Sequence, residues 1–297
     1  MRRSAASASA AAGLAFAVRG NPTPCAVRHS GFDSEKPGLP AIMRAMRKLM
    51  IIVPGWTAAV LASYAVAADL TADQVRAILA ETAPGRSADF SGRSLDNLDL
   101  SGLDLRGANL AGANLFGAKL DGADLTGADL SHANLNLAWI MRANFSRADL
   151  AGASLQGPVV SAGLEINPDE VPTFAGANFS GARIVARLSR MDLRGANFTG
   201  ARMGADMKNQ SMGLMRTDLS GANLAGANFA GADLSRALLR FADLTGASLI
   251  DANLYRADLS GANLSGADVT GADFTEADVG GAKLQGAVGL DAAKGLR

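Results

Sequence analysis

The sequence predicts an all-β fold: a solenoid of short coils stacked along one axis. A large apolar residue recurs at every fifth position over most of the chain, and this period excludes a helix because it would place successive apolar residues about 140° apart. The chain of 297 residues is 48% hydrophobic but only 5% aromatic, with 34 glycines. Its core must therefore consist mainly of Ala and Leu, packed in layers.

Each five-residue unit has a consistent chemistry. If the large residue is position i, a small residue, usually Ala, stands at i−2, and both share one face of an extended segment. Asp or Asn usually fills i−1, which points to solvent. A small polar residue at i+1 and Gly at i+2 are typical of a turn, so the chain bends after every short extended piece.

These units resemble the pentapeptide-repeat family, as in Ala108-Asn109-Leu110-Ala111-Gly112 and Ala262-Asn263-Leu264-Ser265-Gly266. The resemblance covers residues 86–287 and thirty-six units. It implies a right-handed quadrilateral β-helix with four units, or twenty residues, per coil and hence nine coils. The core positions run in four series: Phe90 to Val160, Phe174 to Ile184, Leu193 to Met203, and Leu214 to Leu284.

The N-terminal region has the composition of a targeting sequence. The whole chain is neutral, but its first 68 residues hold eight basic and two acidic groups, which leaves a net charge of −6 for the rest. Residues 43–68 have a basic start, an apolar run and small residues at the end, the pattern of a secretory signal peptide. We expect an exported protein, periplasmic or secreted, without a membrane span after cleavage.

Residues 1–42 precede that signal, where a chain would normally begin. They are either an upstream extension that results from a wrongly assigned translation start, or the first half of a two-part sequence that targets the protein to an organelle. The second reading directs the mature protein to an organelle lumen such as the thylakoid lumen. The single cysteine, Cys25, lies in this segment, so the mature chain has no disulfide.

The ends and interruptions of the repeat are predicted as follows. Residues 69–85 contain a capping box, Thr71-Ala-Asp-Gln74, and form a short N-terminal capping helix. The tail, residues 288–297, covers the other end thinly, so that edge is expected to pair with a second copy as a homodimer. The repeat is interrupted near residues 158–173 and 204–213, where individual function is expected.

Methionines are concentrated near the second interruption. Thioethers suit Cu(I), which makes a Met-based copper-binding protein one alternative function. The other explanation is that flexible Met fills irregular gaps in the core, and it predicts no cofactor. The five methionines are Met191, Met203, Met207, Met212 and Met215.

Two groups of side chains are candidate partner-binding residues. Arg216, Arg236 and Arg256 recur every twenty residues and form either a solvated ladder or a docking strip for an acidic protein or anionic macromolecule. Large apolar residues also occupy outward positions, where loops cover them or a protein partner binds. These residues are Phe116, Leu137, Trp139, Leu238, Phe241, Ile250 and Tyr255, and Leu238, Phe241 and Ile250 are expected to form one patch.

The sequence argues against catalysis. Beyond the signal segment the only histidine is His132, and neither a phosphate-binding loop nor a dinucleotide-binding motif occurs. The leading hypothesis is a non-catalytic exported scaffold that binds another macromolecule. A second alternative, implied by the family, is an acidic DNA mimic that engages gyrase. Export and the Arg ladder argue against it, and no direct nucleic-acid binding is expected.

Overall fold

The computed structural model describes residues 68–83, 85–161, 167, 169–205 and 216–296. The predicted extension and signal peptide lie outside these residues except for Ala68. Regular elements are few: helix α1, Ala72–Glu81, and two strands, β1, Ser154–Gln156, and β2, Arg183–Val185. The strands are parallel, with Leu155 opposite Ile184. Among the described residues no helix is long and apolar enough to cross a bilayer.

The rest of the chain winds as a coil held by single parallel bridges. In the regular regions a bridge joins residues twenty apart, as Asp89 and Asn109, and such bridges recur every five residues around the coil. Four units therefore complete one turn and define four faces, which we number 1 to 4 after the first core residues Phe90, Leu95, Leu100 and Leu105. The predicted coil of twenty residues is confirmed.

The described residues form nine stacked coils, so each face has nine core positions there. Nearly all of these side chains are buried, with half-burial only in the last coil. Face 3, which matters most below, has the core residues Leu100, Leu120, Ile140, Val160, Leu188, Leu219, Leu239, Leu259 and Val279.

The Asp or Asn at i−1 has a structural role beyond solvation. Its Oδ1 accepts the backbone N–H of residue i+1, from Ala111 to Asn109 at 3.2 Å and from Thr270 to Asp268 at 3.0 Å. This bond is an Asx turn, and it braces each corner of the coil. The residue at i+2 then takes a positive φ, 65° at Gly112, which explains the recurring glycine.

The register departs from twenty at three places. Partners are 29 residues apart at Asp149 and Asn178 because an insertion begins after Val160 and ends before Thr173, and they are 19 apart at Asn178 and Asn197. A second insertion begins after Ala205 and ends before Arg216, and Arg187 accordingly bridges Asp218, 31 residues later.

The phase shift predicted between Ile184 and Leu193 is a unit one residue short, and the core residue that ends it was not predicted. Leu188 is a buried core residue, so the short unit runs from Ile184 to Leu188 and spans four residues. Val185 and Ala186 are also buried and let the chain turn with one residue fewer. Leu214, predicted as a core position, lies outside the described residues.

Phenylalanines fill the core where the register changes. The rings of Phe179, Phe198 and Phe229 stack along face 1, with centroids 4.9 and 4.7 Å apart. On face 4, Phe145 stacks on Phe174 at 4.9 Å, and Phe174 also meets Phe179. Both stacks run through the coils that carry the insertions, so large flat rings hold these irregular coils in contact.

The two ends of the coil differ. Helix α1 starts with a complete capping box between Thr71 and Gln74, and its Val75 is fully buried in the core cluster. Arg76 Nη2 donates to the carbonyl of Asp99 at 3.2 Å, so α1 lies against the first coil. At the other end the tail pairs with faces 1 and 2 of the last coil through Val288 and Lys294. Val279 and Leu284 on faces 3 and 4 are only half-buried, which leaves that part of the edge open to solvent.

Candidate binding surface

All eight predicted binding residues lie on one side of the coil. Bridges assign Trp139 and Leu238 to the i−1 positions of face 3. The other six lie at the corners on either side of that face. We call face 3 with its two flanking corners the face-3 surface. Phe116, Arg216, Arg236, Tyr255 and Arg256 lie at the corner between faces 2 and 3, and Phe241 at the corner between faces 3 and 4.

Face 3 also departs from the repeat at its i−1 positions. Within the coils, every apolar residue at i−1 is on face 3: Trp139, Val159 and Leu238. None of the three can accept the N–H of residue i+1, so their corners lack the Asx turn. Val159 was not identified as a candidate from the sequence. Val159 stands twenty residues after Trp139 and bridges it, so writing the sequence in rows of twenty would have placed the two side by side.

Strained backbone is concentrated on the same surface. In the described part of the chain eleven non-glycine residues have a positive φ, and eight of them lie at the two corners beside face 3. For a bulky side chain this conformation costs about 1 kcal/mol or more. Leu137 and Phe241 are the most apolar of them, and the ring of Phe241 lies over Gly261 of the next coil, 2.5 Å from where a Cβ would be. The eight residues are Asn97, Leu137, Arg142, Arg190, Arg236, Phe241, Arg256 and Glu276.

Both insertions leave the coil at these corners. The chain departs after Val160 on face 3 and rejoins at Thr173 on face 4. It departs again after Ala205 at the end of face 2 and re-enters at Arg216 beside face 3. Residues 162–166, 168 and 206–215 lie outside the described residues, so the insertions are located here by their ends.

The arginine ladder is a mixed cluster. The Tyr255 ring lies between two guanidinium groups, with Arg236 Cζ 6.0 Å and Arg256 Cζ 5.0 Å from its centroid. Glu276 accepts from Arg256 Nε at 2.6 Å and from the Tyr255 hydroxyl at 3.1 Å. The hydrogen bond from Arg256 lowers the pKa of Glu276. An aromatic ring and a carboxylate thus lie among the like charges of Arg236 and Arg256 and reduce their mutual repulsion.

The middle of the face-3 surface remains basic. Arg142, Arg190, Arg216 and Arg236 form no ion pair within the described part of the chain. Arg142 and Arg190 were not among the predicted residues. Their signal is again the coil register, which brings them to the corner of Phe241.

One predicted cluster is not formed. Ile250 follows Leu249 on face 1 and lies at the corner between faces 1 and 2, diagonally opposite the corner of Phe241. The expected single patch of Leu238, Phe241 and Ile250 was therefore wrong. Two units, or ten residues, carry the chain to the opposite face of the coil, so residues near in sequence can be far apart in space.

The remaining candidates are structural where they are described. Met191 and Met203 are fully buried in the core, while Met207, Met212 and Met215 lie outside the described residues. His132 occupies a corner with φ 58°, against Gly152 of the next coil. Among the described residues no group of three or more His, Cys, Asp and Glu side chains is placed to hold a metal ion.

Comparison with known families agrees with this geometry. The model for pentapeptide repeats matches eight copies along the chain. The matched segments are residues 86–122, 108–147, 118–157, 173–209, 214–251 and 252–288. The chain belongs to the pentapeptide-repeat family. Solved members of this pentapeptide-repeat family are right-handed β-helices, and parallel bridges one coil apart agree with that architecture. No curated protein matches the chain.

Several solved pentapeptide-repeat proteins are similar to this one. HetL of the cyanobacterium Nostoc, involved in regulating heterocyst differentiation, has 27% identity over 75% of this chain and 96% of its own, with a TM-score of 0.36. QnrB1, a plasmid-mediated fluoroquinolone resistance protein, has 23% identity over 64% and 88%, with a TM-score of 0.30. A protein of the Arabidopsis thaliana thylakoid lumen has 26% identity over 50% and 65%, with a TM-score of 0.11.

Proposed function

We propose that this protein is a non-catalytic exported scaffold and that the face-3 surface binds another macromolecule. The observation that carries the proposal is the concentration of independent departures from the repeat on one side of the coil. The apolar residues at i−1, most of the bulky residues at positive φ, four arginines without an ion pair in the described chain and the ends of both insertions belong to this surface. On the other three faces every i−1 position of the nine coils is polar or charged, most often Asp or Asn.

Stability alone gives no reason for these departures. An apolar residue at i−1 removes an Asx turn, and a side chain at positive φ strains the backbone. Trp139 is 41% exposed and Phe241 is 73% exposed, so solvent contact recovers little of that cost. Residues that break a local rule without a gain in folding are expected at functional positions.

A variant reverted to the repeat consensus tests the proposal. It carries Leu137→Gly, Trp139→Asn, Leu238→Asn and Phe241→Gly, and the matched control carries Arg147→Gly, Ile250→Ser and Asp251→Gly on the other corners. Each protein is immobilised, and the exported fraction of the producing cells is passed over it. We expect a bound component to be lost with the first variant and kept with the control. Equal retention by both variants would contradict the proposal.

Export is part of the same proposal and has its own test. N-terminal sequencing of the protein from fractionated cells should find Ala68 or Asp69 as the first residue. Fractionation also separates the periplasm or medium from an organelle lumen such as the thylakoid lumen. An intact chain in the cytosol would overturn export and leave the face-3 surface to be tested there.

The C-terminal edge supports a second contact, between two copies of the chain. The last coil has half-buried core residues, Val279 and Leu284, and exposed Val288 and Leu290 beside them. Unpaired edges of this kind are covered in stable proteins. We expect a homodimer, which Val288→Asp should convert to a monomer in light scattering. A wild-type monomer at high concentration would argue against pairing.

No described contact favours the two alternative functions. Asp side chains of the i−1 columns are bound to their own corners and are interspersed with Asn, unlike the dense carboxylate array of a DNA mimic. Met191 and Met203 are packed in the core, where they are not open to a copper ion.

A further inference from the structure

We infer that the face-3 surface takes a short acidic segment of another protein, in which carboxylates and apolar side chains are interspersed. This inference rests on the proposed function and specifies the partner. It depends on the charge of coils 3 to 7, where the apolar residues of face 3 lie, and on the opposite charge at both ends of that stretch.

The middle coils present apolar groups flanked by positive charge. The i−1 column of face 3 reads Trp139, Val159, Arg187, Asp218 and Leu238 from coil 3 to coil 7. Beside it lie the unpaired guanidinium groups of Arg142 and Arg190 at one corner and of Arg216 and Arg236 at the other.

Few acidic groups oppose them, although Asp121 of coil 2 lies near Arg142 and Glu276 of coil 9 near Arg236. Asp218 accepts the N–H of Ser220, and Glu170 of the first insertion is hydrogen bonded to Ser161, while Asp169 lies beside it. Arg240 is paired with Asp258 at 3.0 Å. The positive charge of the middle coils is therefore only partly balanced within the described chain, which favours an anionic partner.

The ends of the face-3 surface are acidic and limit the length of the partner. In coils 1 and 2 the column holds Asp99 and Lys119, and Asp96 and Asp121 at the flanking corners make this end net acidic; in coils 8 and 9 the column holds Asp258 and Asp278, next to Glu276. A long polyanion laid along the rod would meet these carboxylates at both ends. From coil 3 to coil 7 the distance is about 19 Å at about 4.8 Å per coil, which an extended peptide of about six residues spans.

The three apolar residues of the column favour a partner that is not purely ionic. The side chains of Trp139, Val159 and Leu238 cannot bind a carboxylate or a phosphate. They can bury apolar side chains of a peptide while the carboxylates of that peptide reach the arginines on either side. An aromatic residue and arginines in one surface are the composition expected at the centre of a protein interface.

The test follows Trp139 directly. The chain has two tryptophans, so the full chain with Trp56→Phe reports only on the face-3 surface through its fluorescence. The probe is the blocked heptapeptide Glu-Leu-Glu-Phe-Glu-Leu-Glu, titrated at low salt. We expect saturable binding that shifts the Trp139 emission and weakens as salt is raised, with no binding of the same peptide carrying Lys in place of Glu.

Matched variants locate the site. The pair Arg190→Ala and Arg236→Ala should weaken binding at least tenfold, and Leu238→Asn at least threefold. Arg147→Ala is the control, because Arg147 is also an arginine at positive φ but lies at the corner between faces 4 and 1. It should change the affinity less than twofold, and an equal loss with Arg147→Ala would overturn the inference.

Competing probes separate this inference from the proposed function. Tighter binding of a twelve-residue oligothymidylate or of heparin than of the heptapeptide would overturn the acidic-peptide assignment in favour of a polyanion. Absence of heptapeptide binding, together with loss of the captured component in the consensus-reverted variant, would reject the acidic segment and retain the proposed function. Absence of both would reject both.

Discussion

Substituting Leu238 by Asn tests why the face-3 surface is irregular. In a soluble fold, replacing a half-buried leucine by a polar residue normally lowers stability. Here the side chain stands at i−1 of its unit, where Asn is a consensus residue. An Asn at position 238 would accept the N–H of Arg240, as Asn228 accepts that of Ala230 at 3.0 Å. It would also donate to Asp218, as Asn253 donates to Asp233 at 3.1 Å.

The magnitude can be worked from these contacts. Full burial of a leucine contributes about 1.5–3 kcal/mol, so the half-buried Leu238 contributes about 1 kcal/mol. Two new hydrogen bonds contribute about 1 kcal/mol each. The net expectation is a gain of about 1 kcal/mol, or a rise in Tm of about 2–4 °C.

Thermal unfolding followed by circular dichroism measures the effect. The neighbouring core substitution Leu239→Asn is the control, and it should lower stability by several kcal/mol because Leu239 is fully buried. A fall in Tm of more than about 3 °C for Leu238→Asn would refute the reasoning, since it would mean that Leu238 serves the fold.

Three further predictions concern the fold. Phe198→Ala should destabilise the protein by about 3–5 kcal/mol because it opens the ring stack of faces 1 and 4, and an unchanged urea midpoint would contradict this. Thr71→Ala removes the capping box of α1 and should cost about 1 kcal/mol, measured by urea titration; wild-type stability would show that α1 contributes little. Hydrogen bonds from Thr270 and Arg194 lower the pKa of Asp268 and Asp192 in the folded chain. The stabilisation that these two carboxylates give is therefore present above the pKa of an unfolded aspartate, near 4, and is lost as the pH falls through their lower folded pKa values. Urea unfolding midpoints measured from pH 7 to pH 2 should drop at the acidic end, and a flat profile would contradict this.

The sequence predicted the coil because its period is local. A large residue every fifth position and Gly two residues later determine each unit, and twenty residues per coil follow from the family resemblance. The short unit from Ile184 to Leu188 was missed because a fixed five-residue period does not recognise a four-residue turn. The buried pair Val185 and Ala186, which makes that turn possible, became visible only in three dimensions.

The candidate surface was predicted in its members but not in its arrangement. Outward aromatic and basic residues can be recognised one by one against the consensus. Their common location depends on the register after two insertions and one short unit. Because of these irregularities, residues that are neighbours in adjacent coils are separated by 29, 19 or 31 positions in sequence instead of 20. Arg142 was therefore missed, Arg190 was not assigned to this surface, and Ile250 was assigned to the wrong side.

Photocrosslinking in the producing cells tests the central claim most directly. The photoreactive residue p-benzoylphenylalanine is placed at Phe241 in one protein and at Ile250 in another, since both side chains are exposed at corners on opposite sides of the coil. If the face-3 surface binds a partner, irradiation will give a discrete adduct from position 241 and none from position 250. Adducts of equal yield from both positions, or from position 250 alone, would contradict the claim.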